Sequence, residues 1–414
     1  MGRKVALILV ACLVLLVTTP PRPVEAAPRE RDAEQIAYLG DSRVAAQFND
    51  PIQHVASARF FGNVAAQLLD RRLKTALNLA VSGQRSDEYL SDRNVEQAIA
   101  SPALWVLVFG VVNDIAQRGA QDYFAGNLAG LLHGVRGQID KLRTAGLRPI
   151  LVLEPGAAAF SADPARLASV AAYNNAVRAY ADEHPEVIVF DLPAATTLAG
   201  APLLFRSGYA HDGVHLDNLG GIAAGQAFAA LMAPLLPAAS NVAVENLVPN
   251  GEFAQPSGGE ASGSTRGTVP RTYVARCDPG LDADVSAGEP GTLRMTVRAM
   301  AAGTCSLGAD LLGEKVGQAY RESVGAEVAP GAVGLTGPYL QLQVRRAGVS
   351  LDAFDNFWGT GGPGPDAARS LSLETPSLVV PDGAREWFTT RFGLHFSGPG
   401  GASATFSRHR VTTP

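Results

Sequence analysis

Leu104-Trp105-Val106-Leu107-Val108-Phe109 is an apolar run without a polar break, and no other segment constrains the fold as strongly. A strand with one face in water alternates apolar and polar residues, whereas an unbroken run predicts a strand covered on both faces. The theme recurs at Gln35 to Leu39, Thr75 to Val81, Pro149 to Leu153 and Val187 to Leu192. Between these runs, Ala120 to Ala145 and Pro164 to Glu183 carry apolar residues at three- and four-residue spacing, and Asn218 to Leu235 is an Ala- and Leu-rich closing helix. Strands alternating with helices in this rhythm predict an α/β fold, a parallel sheet with helices on both faces.

The chain has 414 residues, long enough for two cores, and three regions are expected: a leader over 1–26, the α/β region over 27–240 and a second domain over 246–414. Arg3 and Lys4 precede the apolar run Val5 to Val17, and Val24-Glu25-Ala26-Ala27 offers small residues for cleavage, the pattern of a secretory signal peptide. The expected location is therefore secreted or periplasmic, in preference to a signal-anchored or lipid-anchored form. Leu9-Val10-Ala11-Cys12 looks like a lipoprotein box, but the apolar run continues past Cys12, which argues against a lipid anchor. Past Ala27 no stretch is expected to be long and apolar enough to cross a bilayer, so no transmembrane segment is expected once the signal is removed. The net charge of −5, without a basic block, excludes nucleic acid as an expected partner.

Near Pro237 the texture changes. Gly, Ser, Thr and Pro become dense, and short alternating runs such as Thr292 to Val297, Leu340 to Val344 and Ser403 to Phe406 predict an all-β sandwich. The remaining cysteines, Cys277 and Cys305, both fall here, and an exported compartment favours a disulfide between them. No C-x₂-C or H-E-x-x-H spacing occurs, so neither a metal nor another cofactor is expected. The phrase Asn246-Leu247-Val248-Pro249-Asn250-Gly251-Glu252-Phe253 resembles the opening strand of galactose-binding-like jelly-roll modules. That resemblance implies a glycan partner, with Tyr273, Tyr339, Trp358 and Trp387 as candidate platforms, although such aromatics more often fill a sandwich core.

Four points fall at the carboxyl ends of the predicted strands, where an open α/β sheet presents its ligands. Gly40-Asp41-Ser42-Arg43 ends a strand on glycine and starts a helix on serine, which exposes the serine Oγ and its N–H. Ser82-Gly83 allows close approach of a backbone N–H, and Asn113 follows the Leu104 strand with a side-chain amide. Asp212 stands three residues before His215, where it can orient the imidazole and leave the other nitrogen to take a proton from serine.

Together these blocks resemble the SGNH hydrolases, the GDSL-like lipase/acylhydrolase family, over about residues 35–235. Arg43 stands where the name-giving leucine often does, and Gly110-Val111-Val112-Asn113-Asp114 has one residue more than the usual Gly-x-Asn-Asp. The resemblance implies a flavodoxin-like three-layer α/β/α domain with Ser42 as nucleophile, His215 as base and acid, and Asp212 as its partner. Ser42 and Gly83 N–H groups and the Asn113 amide would form the oxyanion hole. Arg43, Gln84 and Tyr209 are candidates for substrate binding, while His211 is read as rim. The expected function is a serine esterase removing an acyl group, above all O-acetyl from a carbohydrate. Lipase or arylesterase, acyltransferase to an exported polysaccharide, and a non-catalytic glycan-binding protein are the alternatives.

Overall fold

A computed structural model describes residues 31–50, 55–57, 59–69, 71–117, 128–238, 245–356, 369–375 and 377–413. The leader over 1–26, Trp358 and the first part of the Ala120 to Ala145 segment lie outside the described residues.

Five parallel strands form the first sheet: β1 (Asp32–Gly40), β2 (Lys74–Asn78), β3 (Ala103–Phe109), β4 (Arg148–Val152) and β5 (Ile188–Phe190). Their order is β2-β1-β3-β4-β5, the flavodoxin-like order, so the direction of winding reverses beside β1. Among the helices packed on it are α1 (Phe61–Leu68), α2 (Leu128–Thr144), α3 (Pro164–Glu183) and α4 (Asn218–Met232). The bounds of α3 follow from local chemistry. Asp163 caps it by accepting from the N–H groups of Ala165 and Arg166 at 3.0 and 3.2 Å, and Pro164 occupies the first turn, where no N–H is missed.

Alternation along β1 decides the layers. Ile36 and Tyr38 belong to one apolar cluster, with Phe61 of α1 and Phe228 and Met232 of α4. Ala37 and Leu39 belong to another, with Ile139 and Leu142 of α2 and Val170 and Val177 of α3. Successive side chains of a strand point to opposite faces, so helices cover both faces and the fold is the three-layer α/β/α arrangement.

Helix α4 and the short turn after it, Asn218–Leu235, have the length and apolar composition of a membrane span, contrary to the sequence expectation. Half of that segment is buried inside the protein. Its apolar side chains form one layer of the α/β core, which explains why so few charges occur on it.

The C-terminal region is all β. Tyr273–Cys277, Gly303–Asp310, Val333–Arg346 and Val349–Asn356 lie in one run of paired strands, and Leu281–Ala287, Thr292–Ala299, Ala319–Val328 and Arg369–Glu374 lie in another. The long strand Arg385–Thr412 joins them, pairing through Phe396 with the first run and from Gly400 onward largely with the second. Thr292–Ala299 alternates buried and exposed residues, as a strand with one face on a core must. Phe392, Leu342 and Leu307 share that core with Phe406, Met295 and Val324, and Val64 of α1 and Ile222 of α4 join the same cluster. Cys277 and Cys305 sit directly opposite on neighbouring strands and are joined by a disulfide.

A polar knot lies inside this sandwich. His409 Nδ1 meets the Tyr273 hydroxyl at 2.8 Å, and its Nε2 lies 2.8 Å from both Thr390 Oγ1 and Glu322 Oε1. All four residues are buried. Burial pushes the Glu322 carboxyl well above its usual range, against the Thr390 hydrogen bond, and pushes His409 down to about 3. Glu322 therefore keeps its proton in the fold at a pH where the unfolded chain releases it, so its contribution is full below the unfolded value of 4.5 and is lost as pH rises. Glu322→Gln removes that loss. The expected result is a gain in melting temperature over the parent protein that is larger at pH 8 than at pH 4.5; a gap that is constant or shrinks with pH contradicts it.

Candidate active site

The reversal beside β1 opens a crevice at the carboxyl ends of β1 and β3. Ser42 starts the short helix Ser42–Ala45 directly after β1, and Asp41 caps that helix by accepting from Arg43 N–H. On the far side of the chain, Asp212 and His215 lie in the loop that leads into α4. The fold brings them together: Ser42 Oγ is 2.7 Å from His215 Nε2, and His215 Nδ1 is 2.6 Å from Asp212 Oδ2.

The Asp212 carboxylate is tied down twice more, since Oδ1 accepts from the N–H groups of Val214 at 3.0 Å and His215 at 2.8 Å. Partial burial opposes ionisation, but the His215 N–H, its ring and the Val214 N–H outweigh it and hold this acid at about 2. Asp212 is therefore ionised throughout the neutral range. Such a relay can remove the serine proton as Oγ attacks an electrophile and hold the resulting imidazolium beside a carboxylate. The site is open, with Ser42 half-buried and the Asp212 side chain 45% exposed.

Gly83 lies on a loop and Asn113 in the first turn of the helix Val112–Gln117, and the two segments are fastened to each other. Asn113 Nδ2 donates to the Gln84 carbonyl at 2.9 Å, Gln117 Nε2 donates to the Gly83 carbonyl at 3.0 Å, and Asp114 accepts from the Ser86 N–H at 2.9 Å and its hydroxyl at 2.8 Å. An amide carries two hydrogens, so Asn113 keeps one beyond the Gln84 bond. Gly83 has φ +81°, a conformation that a side chain would strain.

The glycine that opens the Gly110 to Asp114 block is required locally. Gly110 has φ +127°, and a Cβ there would fall 2.4 Å from Asp41 Oδ2. Its carbonyl accepts from the Tyr89 hydroxyl at 2.6 Å, and the helix Val112–Gln117 begins two residues later. The block thus turns tightly over Asp41 before presenting Asn113.

Arg43 is the residue whose expected place is corrected. It does not face the crevice: it is buried, with its guanidinium bonded to Asp41 and to Glu154. The reason is electrostatic, because two buried carboxylates need a buried cation. Glu154 itself was not anticipated; an acid two residues past a strand end has no sequence signal of its own. Gln84 is half-buried and its side-chain Oε1 has no hydrogen-bond partner among the described residues. Tyr209 is half-buried under the Arg206 guanidinium, 5.6 Å from its ring centroid.

His211 stacks on His215 with ring centroids 5.8 Å apart, and its Nε2 is 3.9 Å from Asp212 Oδ2. His211, Asp212 and His215 present ligand atoms within 4.8 Å of one another, a set that a metal ion would fit, although two of the three already bond to each other. Of the sandwich aromatics, Tyr273 is a core residue, while Tyr339 and Trp387 are half-buried, in register with Gly393 and Arg345.

Residues 38–221 match the GDSL-like lipase/acylhydrolase family. No curated protein matches the chain. Among solved structures it is similar to Axe2, an acetylxylan esterase from Geobacillus stearothermophilus, with 19% identity over 48% of this chain and 94% of that one and a TM-score of 0.38. It is also similar to a GDSL-like lipase from Bacteroides thetaiotaomicron VPI-5482, with 14% identity over 49% of this chain and 90% of that one and a TM-score of 0.37.

Proposed function

With residues 38–221 a GDSL-like lipase/acylhydrolase domain, we propose that the protein is a serine esterase in which Ser42, His215 and Asp212 act as the triad. The observation that carries this reading is the hydrogen-bond relay of 2.7 and 2.6 Å from the Ser42 hydroxyl through His215 to Asp212.

In this mechanism Ser42 Oγ attacks the acyl carbonyl while its proton passes to His215 Nε2. The N–H groups of Ser42 and Gly83 and the free Asn113 amide hydrogen stabilise the oxyanion, where each such donor is worth roughly 100- to 1,000-fold in rate. The tetrahedral intermediate collapses, the ester C–O bond breaks, and His215 gives its proton to the departing alkoxide. Water then loses a proton to His215 and attacks the acyl-serine, and collapse releases the acid as His215 returns the proton to Ser42.

The substrate is a short acyl ester on a large polar acceptor, above all an acetyl group on a carbohydrate. The open site favours a small acyl group and leaves room for a bulky alcohol. An apolar-lined cleft of about 370 Å³ does occur, but it lies between α2 and α3 at Leu132, Ile139, Tyr173 and Val177, with none of the triad residues in its lining. The β sandwich, with the half-buried Tyr339 and Trp387 on its strands, is the part proposed to hold a glycan. The leader over 1–26 is proposed to direct export.

A substrate panel tests this reading. Expected are acetate release from acetylated polysaccharide and turnover of p-nitrophenyl acetate at least ~10-fold faster than of the octanoate, since each misfitted part of a substrate costs transition-state binding. Faster release of long acyl groups makes it a lipase, acetyl transfer to an added oligosaccharide makes it an acyltransferase, and inertness toward every ester makes it a binding protein.

A further inference from the structure

The strand-end segments that lead into the helices carrying Ser42 and Asn113 converge on a buried ionic cluster. Arg43 directs Nη1 to Glu154 Oε1 at 2.6 Å and Nη2 to Glu154 Oε2 at 2.9 Å. The same guanidinium reaches back with Nε to Asp41 Oδ1 at 3.1 Å and Nη2 to Asp41 Oδ2 at 2.7 Å. The side chains of Asp41 and Glu154 have no solvent exposure and that of Arg43 has 3%, and its guanidinium carbon lies 4.0 Å from the centroid of the Phe109 ring. Glu154 does more than neutralise Arg43. Its Oε2 accepts from Val111 N–H at 3.1 Å and its Oε1 from Gly156 N–H at 2.8 Å, while Asn174 holds its own backbone on both sides.

We propose that Arg43 and Glu154 are positioning residues, a charge clamp that sets the Ser42 N–H and the Asn113 amide against one another as oxyanion donors. The inference rests on the esterase reading and extends it to residues that touch no substrate. Ser42 lies between Asp41 and Arg43, both held by the cluster, and Val111 lies two residues before Asn113. One guanidinium therefore joins the end of β1, and through Glu154 the end of β4 and the start of the β3 loop. Its fork of donors in one plane bonds two carboxylates at once, which an ammonium cannot reproduce. A leucine in place of Arg43 would leave the Val111 loop with no tie to the nucleophile loop through this route.

The clamp is separated from a merely structural ion pair by Arg43→Leu/Glu154→Leu. Replacing buried ionic groups by apolar residues is often tolerated, the Asp41 carboxylate left behind keeps the backbone N–H of residue 43 as a donor at 3.0 Å, and leucine is what the family's motif carries at the first position. The expected result is a folded protein whose kcat for p-nitrophenyl acetate falls about 100-fold with KM within a few-fold, and whose Ser42 is phosphonylated by a fluorophosphonate more slowly by a similar factor. Parental kcat and labelling rate in the folded double variant overturn the clamp. Arg43→Lys covers the case in which the double variant fails to fold: it keeps the charge and loses the fork, and is expected to lose at least ~10-fold in kcat, while parental kcat overturns the proposal. If the parent protein is labelled no faster than Ser42→Ala, the esterase reading fails and the clamp fails with it. A parent that reacts beside an equally reactive double variant sinks the clamp alone.

Discussion

Ser42→Ala is expected to lower the turnover of p-nitrophenyl acetate by about 10,000-fold or more while leaving the melting temperature within a few degrees. Without Oγ there is no acyl-serine, and His215 and Asp212 are left with a relay that ends on a methyl group. The residual rate then reflects the oxyanion donors and binding alone. The fold has little at stake, because Ser42 is half-buried and the cap of its helix is supplied by Asp41. Purified parent and variant assayed side by side, with circular dichroism as the folding control, make the test. Equal rates in the two proteins would mean that another group is the nucleophile.

Phe228→Ala is expected to cost about 3–5 kcal/mol of stability, read as a lower denaturant midpoint with little change in slope. Phe228 is fully buried in α4, edge-on to Phe61 at 5.4 Å and tilted on Phe190 at 5.1 Å, so it ties α4 to α1 and to the last strand of the sheet. Truncation leaves a cavity walled by aromatic rings that cannot collapse into it. The experiment also bears on what α4 is. A core helix of the α/β layer loses this much stability, whereas a loss below ~1 kcal/mol would mean that α4 does not pack as a layer of this fold.

Several elements were legible because they depend on local chemistry. The apolar run of β3 demanded burial on both faces, and α3 begins and ends at the expected residues because Asp163, Pro164 and the His184-Pro185 pair act locally. By contrast α1 and the helix Asp92–Ala100 escaped notice. Phe61–Leu68 is only eight residues, little more than two turns, and its polar residues Asn63 and Gln67 are themselves buried, so the segment is too short for a helical period to stand out.

The candidate site divides in the same way. Ser42, Gly83, Asn113 and the Asp212–His215 pair stood out because each sits in a short block with its own turn or spacing. Asp212 and His215 are three residues apart, and their mutual geometry follows from that spacing. Their meeting with Ser42, 173 residues away in the chain, follows from the strand order, which no motif states.

Arg43 shows the limit most clearly. Read alone, an arginine beside a serine nucleophile is a charged side chain at the rim of a pocket. Its partner Glu154 is 111 residues away, and the end of β4 lies near the end of β1 only because β3 is the single strand between them. Burial then reverses the preference of the guanidinium: in water it would point outward, but between two buried carboxylates and a phenyl ring it points inward. Chain chemistry was enough to locate the strands, the helix caps and the reactive serine, since each depends on neighbours in sequence. Where Arg43 points, and which loops its charge holds together, depended on the Coulomb energy of groups that only the folded chain brings within 3 Å.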